Sequence, residues 1–325
     1  MTYIEPNTPV VAEGLPVTFR DQTVWRAPGE FDQSYMIEID FDETCFTTFI
    51  SSGTGIEVHQ AYEMAVETVL GSDARQDFSD YQGLSNRAPL DVIQGLIMKE
   101  PGLIGVALQH AREHYARPED ITDIGLGLIA RFANRASVDN DELTLRAITE
   151  MLVIRKKDIL FPQISDEWPM PVKGFQETWQ ELYDRRQADE RFRRLHTAIV
   201  SSGHTDFIKT IIERAGLPNP DVYMTDDEMR RQVHPRTKPD PYALELVRNA
   251  WLNAYLVRPE LRQSPEFMAE AKGRQVYIGD DEEKDGEMAA NDGIRFLQHH
   301  GGPDDWKDIG ELIIARIESG EGFGG

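Results

Sequence analysis

Three short apolar runs in this chain each end abruptly in residues that carry chemistry. Tyr35-Met36-Ile37-Glu38-Ile39 runs into Asp40-Phe41-Asp42, Ala198-Ile199-Val200 into Ser201-Ser202-Gly203, and Val276-Tyr277-Ile278 into Gly279-Asp280-Asp281. Runs of this length, rich in β-branched residues and bounded by polar residues and glycine, read as strands. A further strand fits Asp221 to Met224. Helical spacing fits Gly174–Arg186, Asp206–Ala215, Tyr242–Val257 and Ile309–Ile317, with a shorter helix over Glu287–Asp292 closed by Gly293. Strands alternating with helices predict an α/β fold, a Rossmann-like doubly wound parallel sheet. Such sheets bind ligands beyond the carboxyl ends of their strands, where Asp40, Asp42, Ser201 and Asp280 fall.

The alternation is interrupted just after the first strand. Helical spacing covers Val58–Leu70, Leu90–Met98, Gly102–Tyr115, Ile121–Asn134 and Asp141–Ile154 with almost no strand signal, and Trp168-Pro169-Met170-Pro171 breaks the pattern. The block reads as an inserted all-helical domain over 51–165, with the α/β core built from 34–50 and 166–318. Residues 44–55 are rich in Thr, Ser and Gly and read as a loop or short hairpin. Residues 1–33 hold Pro6, Pro9, Pro16 and Pro28 and predict an extended arm, with one strand near Val17-Thr18-Phe19. The glycine-rich tail, 319–325, is expected to be disordered.

The chain of 325 residues suits one large domain or two, and its 40% apolar content can build a core. A net charge of −23 repels nucleic acid and anionic membranes. It repels a phosphorylated substrate as well, so a site for phosphate needs cations of its own. Cys45 is the one cysteine, which excludes an intrachain disulfide and suits a reducing cytosol. The first residues lack a basic region followed by an apolar stretch, and no apolar run reaches membrane-spanning length, so the expectation is a cytoplasmic protein.

With Lys238-Pro239-Asp240-Pro241 added, the motifs come in the order Asp-Phe-Asp-Glu-Thr, Ser-Ser-Gly, Lys-Pro and Gly-Asp-Asp. In that order they resemble the haloacid dehalogenase (HAD) superfamily of hydrolases, over roughly residues 35 to 300. The position of the helical insertion is similar to that of the cap in its phosphoglycolate-phosphatase-like branch. The resemblance implies an Mg2+-dependent phosphatase acting on a small phosphorylated metabolite through an aspartyl phosphate. It assigns Asp40 as nucleophile, Asp42 as general acid and base, and Lys238 as the charge that stabilises the transferring phosphoryl group. Thr44, Ser201 and Lys238 would bind phosphate, with Ser202 the alternative to Ser201. The metal would lie among Asp40, Asp42 through its backbone carbonyl, and Asp280, with Asp285 or else Asp281 as the further acid. Glu43 departs from the glycine commonest at its position. Ser85, Asn86 and Arg87 look like a polar cap loop that faces substrate. A sugar phosphomutase of the same fold and a non-catalytic binding protein on it are the alternatives. Dehalogenation would leave Asp42 idle.

Other candidates read as structure. His110 and His114 stand four apart on a helix but lack the glutamate and third ligand of a zinc site. His299-His300 reads as a surface loop. Cys45 is close enough to the first motif for oxidation to matter, although packing is the plainer role. The arginines at 185–186 and 191–194 alternate with acids as on a solvated face.

Overall fold

The computed structural model describes residues 10–11, 16–17, 31, 34–49, 56–82, 89–116, 124–137, 139–230, 232, 236, 238–255 and 257–324. Most of the N-terminal arm, Thr18 and Phe19, and the candidate loop Ser85-Asn86-Arg87 lie outside these residues. Within the arm, β1 (Val10–Val11) pairs antiparallel with β2 (Pro16–Val17). The chain divides into two compact units, one of Met1–Thr48 with Pro169–Gly325, the other of Phe49–Trp168.

The first unit is built on a sheet of β3 (Tyr35–Ile39), β6 (Leu195–Ser201), β7 (Val222–Thr225), β8 (Gln275–Gly279) and β9 (Arg295–Gln298). All pairs are parallel, in the order β7-β6-β3-β8-β9. Two short strands, β4 (Phe46–Thr47) and β5 (Met170–Pro171), pair antiparallel where the chain leaves this unit and returns to it. Helices α7 (Phe175–Ala188) and α14 (Asp305–Ser319) pack together, with the Phe175 and Trp306 rings 5.1 Å apart. Tyr183 of α7 reaches Thr197 of β6, which places this pair on one face of the sheet. On the other face α10 (Tyr242–Ala254) buries Leu244, Val247 and Trp251 against Met36, Val200 and Tyr277. Shorter helices complete the unit: α8 (Thr205–Arg214), α9 (Asp226–Arg230), α11 (Pro259–Arg262), α12 (Pro265–Gly273) and α13 (Glu287–Asp292).

Glu38 sits poorly in a strand buried on both faces, where a carboxyl needs either a sheet edge or a partner. The strand is central, so the edge is excluded. The partner is Gln275 on the neighbouring strand, whose amide donates to Glu38 Oε2 at 2.7 Å. Burial pushes the Glu38 carboxyl well above the usual range, against the pull of that bond and of Arg248.

The tail is a correction. Phe323 is buried, its N–H bonds to the Gly273 carbonyl at 2.6 Å, and its ring meets Tyr35 edge-on at 5.8 Å. One aromatic ring supplies enough apolar surface to dock a glycine-rich segment that composition alone leaves loose. His299 is another. It is 2% exposed, lies 5.9 Å from the Trp306 ring, and its N–H continues the ladder to Gly279.

The second unit contains α1 (Val58–Leu70), α2 (Ser72–Gln82), α3 (Pro89–Lys99), α4 (Leu103–His114), α5 (Ile124–Ala133) and α6 (Glu142–Leu160). Helix α1 buries Val58, Ala61, Tyr62, Ala65, Val66, Val69 and Leu70, the residues its periodicity selects. Asp141 caps α6 by accepting from the Thr144 N–H at 2.8 Å. Lys156 is buried with its ammonium 3.7 Å from the Tyr62 ring centre. No helix among the described residues is long and apolar enough to cross a membrane.

Candidate active site

The central strand β3 ends at Ile39, and the chain turns sharply after it. The Asp40 N–H still bonds to the Ile278 carbonyl of β8 at 2.8 Å, which fixes Asp40 at the sheet's end. The turn closes through Cys45 N–H to Phe41 O at 2.9 Å and Glu43 N–H to Phe46 O at 2.8 Å. Glu43 has φ of +58°, the left-handed region that glycine enters without a steric penalty. This explains why a glycine is at home there and why glutamate carries strain. The Trp306 indole N–H clamps the turn by donating to the Thr44 carbonyl at 2.9 Å.

Lys238 joins the carboxylates. Its Nζ donates to Asp40 Oδ1 at 2.6 Å, to Asp285 Oδ1 at 2.7 Å and to the Tyr277 hydroxyl at 2.6 Å. Asp40, Asp280 and Asp285 each offer an oxygen within 4.8 Å of the others. Asp280 also accepts from Thr44 Oγ1 at 3.0 Å. The close approach of Asp285 requires Gly279, because a Cβ there would overlap the Asp285 carboxylate. Asp281 does not join the group. Its carboxylate instead caps the following turn, accepting from the Glu283 and Lys284 N–H groups at 3.0 Å each.

Asp42 has a separate setting. Thr48 Oγ1 donates to its Oδ1 at 2.6 Å, and Ser201 Oγ to its Oδ2 at 3.3 Å. The Ser201 hydroxyl in turn accepts from the Gly203 N–H at 2.9 Å. Ser202 is exposed. The structure thus brings Asp40, Lys238, Asp280, Asp285 and Thr44 into one group, with Asp42 and Ser201 paired beside it. The Asp42 side chain is not among the clustered carboxylates.

The electrostatics follow from crowding. Burial pushes the Asp40 carboxyl well up; Lys238 opposes this, while Asp285 and Asp42 add to it. Burial raises Asp280, and Asp285 adds to the rise. Lys238 goes the other way: burial would lower its ammonium, but Asp285 and Asp40 outweigh burial and hold it above the usual lysine value. Three carboxylates against one ammonium leave an excess of negative charge at this strand end. Clustered, partly buried carboxylate oxygens are the hard donors that magnesium takes, so the residues fit a divalent cation.

Cys45 is fully buried with Sγ 3.1 Å from the Asp40 carbonyl, and burial pushes its thiol well above the usual range. A buried thiol without thiolate character is inert to oxidation, which leaves it the packing role. His110 and His114 lie with ring centres 4.5 Å apart, and neither belongs to a group of three potential ligands among the described residues. Two residues at the site escaped sequence reasoning. Thr48 lies beyond the first motif in a stretch read as loop, and Tyr277 reads as one more apolar strand residue.

No protein-family model matches the chain, and no curated protein does. Among solved structures, the chain is similar to a HAD-superfamily hydrolase from Ehrlichia chaffeensis at 16% identity, over 88% of this chain and 98% of that one, with a TM-score of 0.38. It is also similar to a predicted phosphoglycolate phosphatase from Haemophilus somnus at 13% identity, over 83% of this chain and 87% of the other, with a TM-score of 0.39. A third is a HAD-superfamily hydrolase from Geobacter sulfurreducens, at 14% identity over 82% and 87% of the two chains, with a TM-score of 0.30. The superpositions are loose, and these hydrolases are what the chain is similar to.

Proposed function

We propose that the protein is a HAD-type, magnesium-dependent phosphatase for a small phosphorylated metabolite. One observation carries the reading: an ammonium, Lys238, bonded to both Asp40 and Asp285, with Asp280 alongside, at the carboxyl ends of β3 and β8. A nucleophilic carboxylate, a fixed positive charge and a surplus of acids for a cation together suit phosphoryl transfer.

Asp40 supplies the nucleophilic oxygen. It forms the bond to phosphorus as the ester P–O bond breaks, and Lys238 offsets the charge that builds on the phosphoryl oxygens. Asp42 gives its proton to the departing alkoxide. Thr48 and Ser201 hold its two oxygens, so the carboxyl is oriented before substrate arrives. Water then attacks phosphorus, Asp42 takes its proton, and the electron pair of the broken bond returns to Asp40. Asp40, Asp280 and Asp285 would hold the magnesium, which when bound supplies further neutralisation of phosphate charge. In this reading the helical unit is the cap that selects the leaving group.

The test is phosphate release from a panel of phosphometabolites and from p-nitrophenyl phosphate, with magnesium and with chelator. Metal-dependent release at steady state is expected. It separates a phosphatase from a phosphomutase, which releases none. No release from any ester sinks the reading.

A further inference from the structure

An ammonium has three protons to donate, and Lys238 spends all three on Asp40, Asp285 and Tyr277. The first two partners are charged. Tyr277 is neutral at ordinary pH. Because its oxygen accepts from Lys238, its own proton goes to one of two acceptors, Val200 O or Asp285 Oδ1, both at 3.1 Å. Val200 belongs to β6 and Tyr277 to β8, and β3 runs between them. The phenol therefore reaches across the end of the strand that delivers Asp40. Its ring is fully buried and stacks on Phe296 at 6.3 Å, so the hydroxyl is carried on a rigid support.

The two partners differ in what the reaction does to them. When an Asp40 oxygen bonds to phosphorus, the carboxyl oxygens lose their own charge and the negative charge lies instead on the phosphoryl oxygens beyond them, so the pull on the ammonium changes direction. Of its three partners Asp285 alone keeps its charge, and the ammonium is drawn between it and the phosphoryl oxygens while the hydroxyl of Tyr277 stays where it was. Lys238 is still needed, because hydrolysis breaks the Asp40–phosphorus bond and returns an electron pair to that carboxylate while Asp42 takes the proton from water. The tyrosine contact is independent of the charge on Asp40. Resting on the phosphatase reading above, we propose that Tyr277 is a positioning residue that keeps the Lys238 ammonium at the acyl phosphate during the second half of turnover.

The experiment compares wild type with Tyr277→Phe by stopped flow on p-nitrophenyl phosphate with magnesium. The variant is expected to release a burst of nitrophenol near one per enzyme, at a rate within about threefold of wild type. Its steady rate falls about tenfold, the effect of losing one well-placed hydrogen bond. Mass spectrometry should find phosphate accumulated on Asp40. Beryllofluoride, which mimics the acyl phosphate, should bind about tenfold more weakly with magnesium present. Burst and steady rate falling in proportion, or neither changing, would show that Tyr277 only packs. A wild type that releases no phosphate removes the phosphatase reading and this proposal with it. Should circular dichroism show the phenylalanine variant unfolded, 3-fluorotyrosine placed at 277 keeps ring and hydroxyl but weakens the acceptor. It should slow the steady rate by about two- to threefold and spare the burst; an unchanged ratio of the two rates overturns the proposal.

Discussion

Two kinds of buried charge share one sheet and follow opposite plans. Arg186 and Asp221 form a closed pair, with guanidinium bonds of 2.9 and 3.0 Å to the two oxygens and a third bond from the Thr197 N–H at 2.9 Å. Arg248 closes on Asp292 mainly through Nη2, which donates to each oxygen at 2.6 Å, with Nη1 donating to Oδ1 at 3.2 Å. Each sets an arginine against both oxygens of one buried carboxylate, with Lys272 3.8 Å from Asp292 as a further cation. Around Lys238 three carboxylates converge on one ammonium. The closed pairs are complete as they stand. In the phosphatase reading proposed above, the open cluster would be complete only with a cation and an anionic substrate, and its charge balance is unfavourable without them.

The contrast breaks first at Asp40. Asp40→Asn should abolish phosphate release, leaving at most about one part in a thousand, because an amide lacks the anionic oxygen that attacks phosphorus; circular dichroism should show the fold intact. Phosphate found on any other residue would overturn the assignment. Lys238→Ala should lower kcat by roughly two to three orders of magnitude, as loss of one preorganised charge donor does. A near-normal rate would return Lys238 to the ordinary surface lysines.

The closed pairs should respond in stability instead. Asp221→Asn should cost about 3–5 kcal/mol in urea unfolding, since it strands the Arg186 charge, with kcat per folded molecule unchanged. Burial alone would raise the Asp221 carboxyl; Arg186 and His196 outweigh it and hold it below the usual range. Its contribution is therefore present above an ordinary carboxylate pKa of about 4 and fades as pH falls toward the depressed value. The gap between wild type and variant should narrow below that pH. A gap constant from pH 7 to pH 3 would refute the ionic origin.

Removing an acid from the open cluster should do the reverse. Asp280→Asn relieves repulsion with Asp285 and is expected to raise the metal-free Tm by roughly 1–3 °C while removing activity. A fall in Tm would mean that the cluster is as closed as the arginine pairs. The smallest effect belongs to the turn. Glu43→Gly removes left-handed strain and should change stability by less than about 1 kcal/mol; a loss of several would show that the Glu43 side chain holds the turn.

The same contrast explains what was legible in the sequence. Asp40, Asp42, Ser201 and Asp280 stand at the ends of apolar runs, so a local pattern announces them, and the Lys-Pro dipeptide marks Lys238. Asp285, offered with Asp281 as an alternative, needed three dimensions, because the turn after Gly279 decides which acid folds back. Tyr277 and Thr48 carry no local mark, since their roles come from what lies opposite them. The strand β9 escaped because Arg295 is exposed and Phe296 and Gln298 half-buried at the sheet's edge, which blurs the apolar signal. Helix α2 escaped because its sequence, Ser-Asp-Ala-Arg-Gln-Asp-Phe-Ser-Asp-Tyr-Gln, is mostly polar. Lys156 shows the limit of pattern reading in the other direction, being a charged residue that the fold buries.

The bond from Trp306 to the Thr44 carbonyl joins residues 262 positions apart. A ribosome delivers the indole that clamps the first motif roughly ten to fifty seconds after the motif itself, at ordinary rates of synthesis. A nascent chain stopped before α14 would already carry both aspartates of the first motif, the lysine and the later acids, yet its first turn would lack the clamp. The turn that bears Asp40 and Asp42 is therefore finished only once Trp306 has been made and has docked, which ties the shape of this strand end to the folding of α14.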